Sequence, residues 1–184
     1  EAERIRAGQL VSLLVPVQKA YCTDRGFESC VLGQQVLGGH GYIAEWGLEQ
    51  NVRDARISQI YEGANGIQAL DLMGRKTVRS NGELLGILFE EMEGFIESSK
   101  HIEPLAEGLT KLESLMGELK QATNTVIEKA KNDPDEIGAA SYPYMELMGL
   151  TLFCFMWQRI LASVHLAKVN NDGSEDYLNG MLGS

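Results

Sequence analysis

A single carboxylate, Glu62, sits between an apolar Ile60-Tyr61 pair and four small residues, Gly63, Ala64, Asn65 and Gly66, that open a helix. Small residues leave room above the acid for a flat or extended ligand. A ligand that strips water from a carboxylate raises its pKa from about 4.3 toward the range of a general base. Ordinary helix chemistry also accounts for an acid here, because the unpaired N–H groups at a helix start favour negative charge. A second candidate lies upstream, where Gln35, Val36, Leu37, Gly38 and Gly39 end one helix and lead into His40-Gly41. This glycine run follows a helix and lacks the strand context of a dinucleotide fingerprint. It reads either as a helix stop or as backbone that can approach a pyrophosphate, since glycine sets no side-chain barrier.

These residues must be held by helices. Apolar residues recur at three and four spacing and almost nothing alternates, so the class is all-α. The pattern gives helices over about 2–22 and 25–38, a loop with a short helical piece over 40–57, and another helix from after Glu62 to near Ser80. Three more follow, the middle one carrying a heptad seam of Leu105, Leu109, Leu112, Met116, Leu119, Thr123, Val126 and Ala130. Asp133-Pro134-Asp135-Glu136 predicts the start of the last helix, with Pro143 kinking or splitting it. The run 147–157 reads as a fully buried helix with Trp157 in the core, too short by itself for the roughly 20 residues of a membrane span. Trp46 reads as a loop anchor, and the tail from Asn170 as frayed.

Nine basic and nine acidic residues balance up to residue 80, so the whole net charge of −10 falls beyond it. With the Asn-Gly turn at 81–82, that shift divides the chain into 1–80 and an acidic 81–184. The charge disfavours nucleic acid and anionic lipid as partners. Cys22, Cys30 and Cys154 make neither a disulfide framework nor a zinc spacing, which fits a reducing, cytoplasmic compartment. His40, His101 and His165 lie too far apart in sequence for a metal motif, and His40 alone sits where it could meet a cofactor. The opening "EAERIRAGQL" reads as a fragment already inside a domain.

"QVLGGHGY" (35–42), "RDARISQIYEG" (53–63) and their separation resemble the C-terminal helical domain of acyl-CoA dehydrogenases. The resemblance covers residues 1–80. The acidic half is similar to the additional helical extension of a bacterial subgroup that includes 3-methylmercaptopropionyl-CoA dehydrogenases. It implies a helical bundle followed by a three-helix subdomain, from a flavoprotein that oxidises acyl-CoA thioesters to 2,3-enoyl-CoA. By that likeness Glu62 removes the α-proton, FAD takes the β-hydride, and the Glu62 N–H steadies the thioester carbonyl. Tyr61 and Gly63 flank the substrate, while Gln35, Val36, Leu37, Gly38 and Gly39 touch FAD held by a neighbouring subunit. A homodimer or homotetramer and an electron-transfer acceptor protein are implied with it. Many members continue the motif with Thr-x-Gln, where this chain has Ala64, Asn65 and Gly66, leaving the cofactor contacts there to backbone N–H groups. Arg53-Asp54 matches a family pair and reads as a buried structural ion pair. A non-catalytic helical module, with the heptad seam of 81–184 as its interface, is the other function class. In either case the fragment alone is expected to be inactive and to hold no FAD.

Overall fold

A computed structural model describes residues 1–170 and 173–182, and among them no strand forms. Helix α1 runs unbroken over Ala2–Val36. The break expected near residues 22–25 does not occur, because the turn-prone residues there find partners that leave the helix intact. Thr23 donates its hydroxyl to the Lys19 carbonyl (2.5 Å), and Asp24 points its carboxylate at other elements. Pro16 is buried inside the same helix.

At the end of α1 the Leu37 and Gly38 N–H groups close onto the Gln34 and Gln35 carbonyls. Gly38 then turns the chain with φ +54°, and a Cβ on Gly41 would overlap the Gln34 carbonyl oxygen, so the chain folds back tightly on α1. Four residues of helix, α2 (Gly39–Tyr42), a 3₁₀ turn at Ala44–Trp46 and helix α3 (Leu48–Ser58) follow. The expected loop over 40–57 is therefore largely helical. Helix α4 (Asn65–Leu70) continues into a π-helical segment, Asp71–Val78, whose wide turns show in the bond from the Arg79 N–H to the Gly74 carbonyl (3.0 Å).

Helices α5 (Glu83–Ser99), α6 (Ala106–Ala130) and α7 (Asp135–Val169) are the long helices of the second half among the described residues. The α7 start follows the sequence: Asp133 Oδ1 accepts from the Asp135 N–H (3.0 Å). Pro143 does not split α7. Seven seam positions, from Leu105 just before α6 through Val126 within it, are buried, and Ala130 is half-buried. The seam faces neighbouring helices of this chain, with Thr123 bonded to Tyr144 of α7 at 2.7 Å.

One contiguous core draws on both halves: Leu13 and Val17 of α1, Leu72 and Met73 of the π segment, Met92 of α5, Leu112 of α6, and Met145 and Met148 of α7. Helices α1 and α7 pack closely where Gly149 lies against the Tyr21 ring, since a Cβ there would overlap it. By length and composition α7 is the helix among the described residues that could cross a membrane; here its inner face packs in the core.

Two expectations are corrected on α7. The run 147–157 is not buried all round, because Leu150, Phe153, Trp157 and Ile160 recur at three and four spacing on an outward stripe. Trp157 is 49% exposed and belongs to that stripe rather than the core. The tail also differs: Glu175–Leu182 forms α8, with Leu178 buried and the Tyr177 N–H donated to Ser174 Oγ (3.2 Å). Positions 171, 172, 183 and 184 of that tail lie outside the described residues.

Leu112 is 0% exposed. Truncating it to Ala should cost about 2–5 kcal/mol in urea unfolding of this chain, and Trp157→Ala under about 1 kcal/mol. Unchanged stability in Leu112→Ala with an altered mass on sizing would mean that the seam joins separate chains.

Candidate active site

Residues 60–64 form a turn between α3 and α4, and Glu62 stands at its crest with φ +52°. A non-glycine residue in the left-handed region carries strain of about 1–3 kcal/mol and persists only where its surroundings fix it. Gly63 continues at φ +90°. The Glu62 carboxylate is exposed and, among the described residues, has neither an ion pair nor a hydrogen bond. The backbone N–H groups of Glu62, Gly63 and Ala64 are likewise unpartnered among those residues. An acid and a row of free N–H donors thus share one turn. Such an arrangement can take a proton and steady a developing oxyanion beside it. Tyr61, half exposed, flanks the same crest.

What fixes the turn lies beneath it. Asn65 was expected among the cofactor contacts, but its side chain is 6% exposed and turned into the protein. Its Oδ1 accepts from Lys19 Nζ (2.7 Å), and its Nδ2 donates to Asp24 Oδ1 (2.7 Å), Thr23 Oγ1 (3.0 Å) and the Ala20 carbonyl (3.1 Å). Its own N–H is donated to the Gln59 carbonyl (3.2 Å). These bonds explain the inward turn: the amide sits between a cation and an anion with its dipole aligned to both. Gln68 Nε2 supports the crest by donating to the Glu62 carbonyl (3.3 Å). Ala64 and Gly66 stay exposed and offer backbone only.

The glycine run is a separate place. The stretch of α1 from Thr23, beneath the turn, to Val36 spans about 20 Å, so Gln35–Gly39 and Glu62 do not line one pocket within this chain. Gln35, Val36, Leu37, Gly38 and Gly39 are all exposed, and nothing occupies the space beside the last two where a Cβ would stand. Gly39 and His40 carry N–H groups unpartnered among the described residues. This backbone fits an anionic group such as a pyrophosphate. His40 instead packs edge-on against Trp46, ring centres 5.4 Å apart, which serves the anchoring expected of Trp46.

The Arg53-Asp54 expectation is corrected. Both are exposed, no ion pair joins them among the described residues, and Asp54 accepts from Gln50 Nε2 (2.7 Å) one helical turn away. Neighbours in sequence point to different sides of a helix, so adjacency on α3 does not make a pair.

The family "Acyl-CoA dehydrogenase, C-terminal domain" matches residues 1–76, and "Acetyl-CoA dehydrogenase C-terminal like" matches 88–183. The chain belongs to the acyl-CoA dehydrogenase family. It is 36% identical over 156 residues to the 3-methylmercaptopropionyl-CoA dehydrogenase of Ruegeria pomeroyi, covering 81% of this chain and 26% of that protein. The broad-specificity linear acyl-CoA dehydrogenase FadE5 of Mycobacterium tuberculosis is 35% identical over 86 residues, 47% of this chain and 14% of the relative. A butyryl-CoA dehydrogenase of Syntrophomonas wolfei is 35% identical over 107 residues, 58% of this chain and 18% of the relative. The chain therefore spans about a quarter or less of the length of these acyl-CoA dehydrogenases.

Sequence reasoning passed over Lys19, Asp24 and Tyr142, which hold the turn from below. Tyr142 lies 118 residues from Asp24, to which it donates its hydroxyl, and no spacing rule connects them. That bond, with burial adding to it, pushes the Tyr142 phenol up to about 12. Burial also raises Tyr144, whose bond to Thr123 acts the other way. A phenol whose folded pKa lies above its unfolded value of about 10 stabilises the fold fully below pH 10, and that stabilisation is lost as pH rises toward 12. Melting curves from pH 9 to 12 should therefore fall less steeply for Tyr142→Phe than for wild type.

Proposed function

We propose that this chain is the C-terminal part of a flavin-dependent acyl-CoA dehydrogenase that oxidises an acyl-CoA thioester to the 2,3-enoyl-CoA. The observation that carries the reading is Glu62 itself: an exposed, unpaired carboxylate held in left-handed backbone beside unpartnered N–H groups. Its carboxylate takes the α-proton as the α C–H bond breaks, and the electron pair left behind moves toward the thioester carbonyl. The Glu62 N–H, unpartnered among the described residues, donates to that carbonyl oxygen and lowers the cost of its growing charge. FAD, when bound, supplies the two-electron acceptor that removes the β-hydrogen as hydride, completing the double bond.

Tyr61 and Gly63 border the acyl chain in this reading. The exposed backbone of Gly38 and Gly39, with Gln35, Val36 and Leu37, would hold the diphosphate end of FAD. Its separation from Glu62 by about 20 Å of helix favours a cofactor bound to a neighbouring subunit there, hence a homodimer or homotetramer. Ala64, Asn65 and Gly66 contribute at most their backbone to flavin, since the Asn65 side chain is spent inside the fold. Residues 81–184 form an extension laid onto a domain of residues 1–80. An electron-transfer acceptor protein would reoxidise the flavin of the complete enzyme.

A second reading, a helical oligomerisation module, draws on the outward apolar stripe of α7 and on Val11 and Val15, exposed on α1. The seam of α6 offers it no surface, because its residues are already covered. Under the first reading the complete natural polypeptide should show anaerobic flavin bleaching by a panel of acyl-CoA thioesters. Glu62→Gln should slow it by at least about a thousandfold, since its amide cannot accept the proton. Equal bleaching in both would move the base elsewhere. No flavin in either would favour the module. The 184-residue chain alone should pass through gel filtration without a flavin band.

A further inference from the structure

We propose that Tyr142, on α7 of the acidic extension, is a positioning residue for the Glu62 base and acts through Asp24. The inference rests on the reading of Glu62 given above and assigns the extension a part in it.

The two ends of the turn share one anchor on α1. Gln59 is the last residue before the turn and Asn65 the first helical residue after it, and both donate their side-chain amides to the same atom, Asp24 Oδ1, at 2.5 and 2.7 Å. One carboxylate oxygen on α1 thus ties the entrance and the exit of the segment that lifts Glu62 into left-handed backbone. A carboxylate is free to swing about its terminal torsion, whose preference is broad. Its other oxygen, Oδ2, accepts the Tyr142 hydroxyl. That third donor, arriving from a different helix, fixes the plane of the carboxylate and therefore where the turn's two ends can sit.

The charges around Asp24 do not substitute for this bond. Arg25 on the same helix faces Glu28 at 2.9 Å and Glu146 at 3.8 Å, while Lys19 is held on the Asn65 amide. Tyr142 remains 42% exposed as a residue. Removing its hydroxyl therefore leaves no buried hole and changes little besides the orientation of Asp24. Glu62 itself touches neither residue, so the effect reaches it through the turn.

The test uses the complete natural holoenzyme and reads proton removal directly, as anaerobic exchange of the α-proton of a saturated acyl-CoA with D2O, expressed per bound flavin. Tyr142→Phe should slow exchange about tenfold with KM within about twofold, because a base displaced by a fraction of an ångström loses rate rather than binding. Asp24→Asn should slow it at least as much, and adding Tyr142→Phe to Asp24→Asn should cost nothing further. A hydroxyl that serves folding alone would lower the melting temperature and leave exchange per flavin at the wild-type rate. That outcome, or additive losses in the double variant, overturns the inference while the base assignment stands, provided Glu62→Gln is silent. Exchange that survives Glu62→Gln overturns the base assignment and this inference with it.

Discussion

The buried amide of Asn65 is the contact on which the candidate site depends. Its oxygen meets a lysine ammonium and its nitrogen an aspartate carboxylate, and no other uncharged side chain offers both ends at that size. Replacing it with an apolar residue would leave Lys19 and Asp24 half-buried without the group that separates them. Because Asn65 is also the first residue of α4, the same contact sets where that helix begins and so where the preceding turn must crest. The strain at Glu62 is sustained from this point outward, by Gln68 from one side and Gln59 from the other.

The scaffold behind that contact is the crossing of α1 and α7. Gly149 lets the helices close on the Tyr21 ring, Phe153 meets that ring edge-on at 5.0 Å, and Glu146 lies near Arg25. Successive contacts run down α1 as they run up α7, so the two long helices lie antiparallel and bring residue 142 beside residue 24. A core continuous from Leu13 to Ala162 then joins α7 to the helices on either side of the turn.

Features governed by local chemistry were legible in the sequence. The α6 seam announced itself because knobs at 3.5-residue spacing mean burial along one face, and the start of α7 because an Asp-Pro pair has few other uses. The glycine stop at 38–39 and the turn before α4 belong to the same class. What stayed hidden was decided at long range. An apolar run of eleven residues looks the same whether every face is covered or one is not, so Trp157 and its stripe were read as core. Thr23 and Asp24 lie at the expected break in α1, where such side chains often compete with backbone; here Thr23 bonds the carbonyl one turn back and Asp24 is taken up by distant partners. Asn65, read for its place in a motif, is committed by residues more than forty positions earlier.

The bond between Tyr142 and Asp24 also orders events in time. A chain made from its amino terminus at roughly 5–20 residues per second exposes α1 and the Glu62 turn well before α7 leaves the ribosome, with roughly 6–24 s separating the two partners. During that interval Gln59, Asn65 and Asp24 can meet, but the second oxygen of the carboxylate waits on water. The turn is thus completed late, by a helix that begins more than seventy residues after Glu62. Nascent chains that stop short of it carry every residue of the Glu62 motif and lack the contact that closes its support.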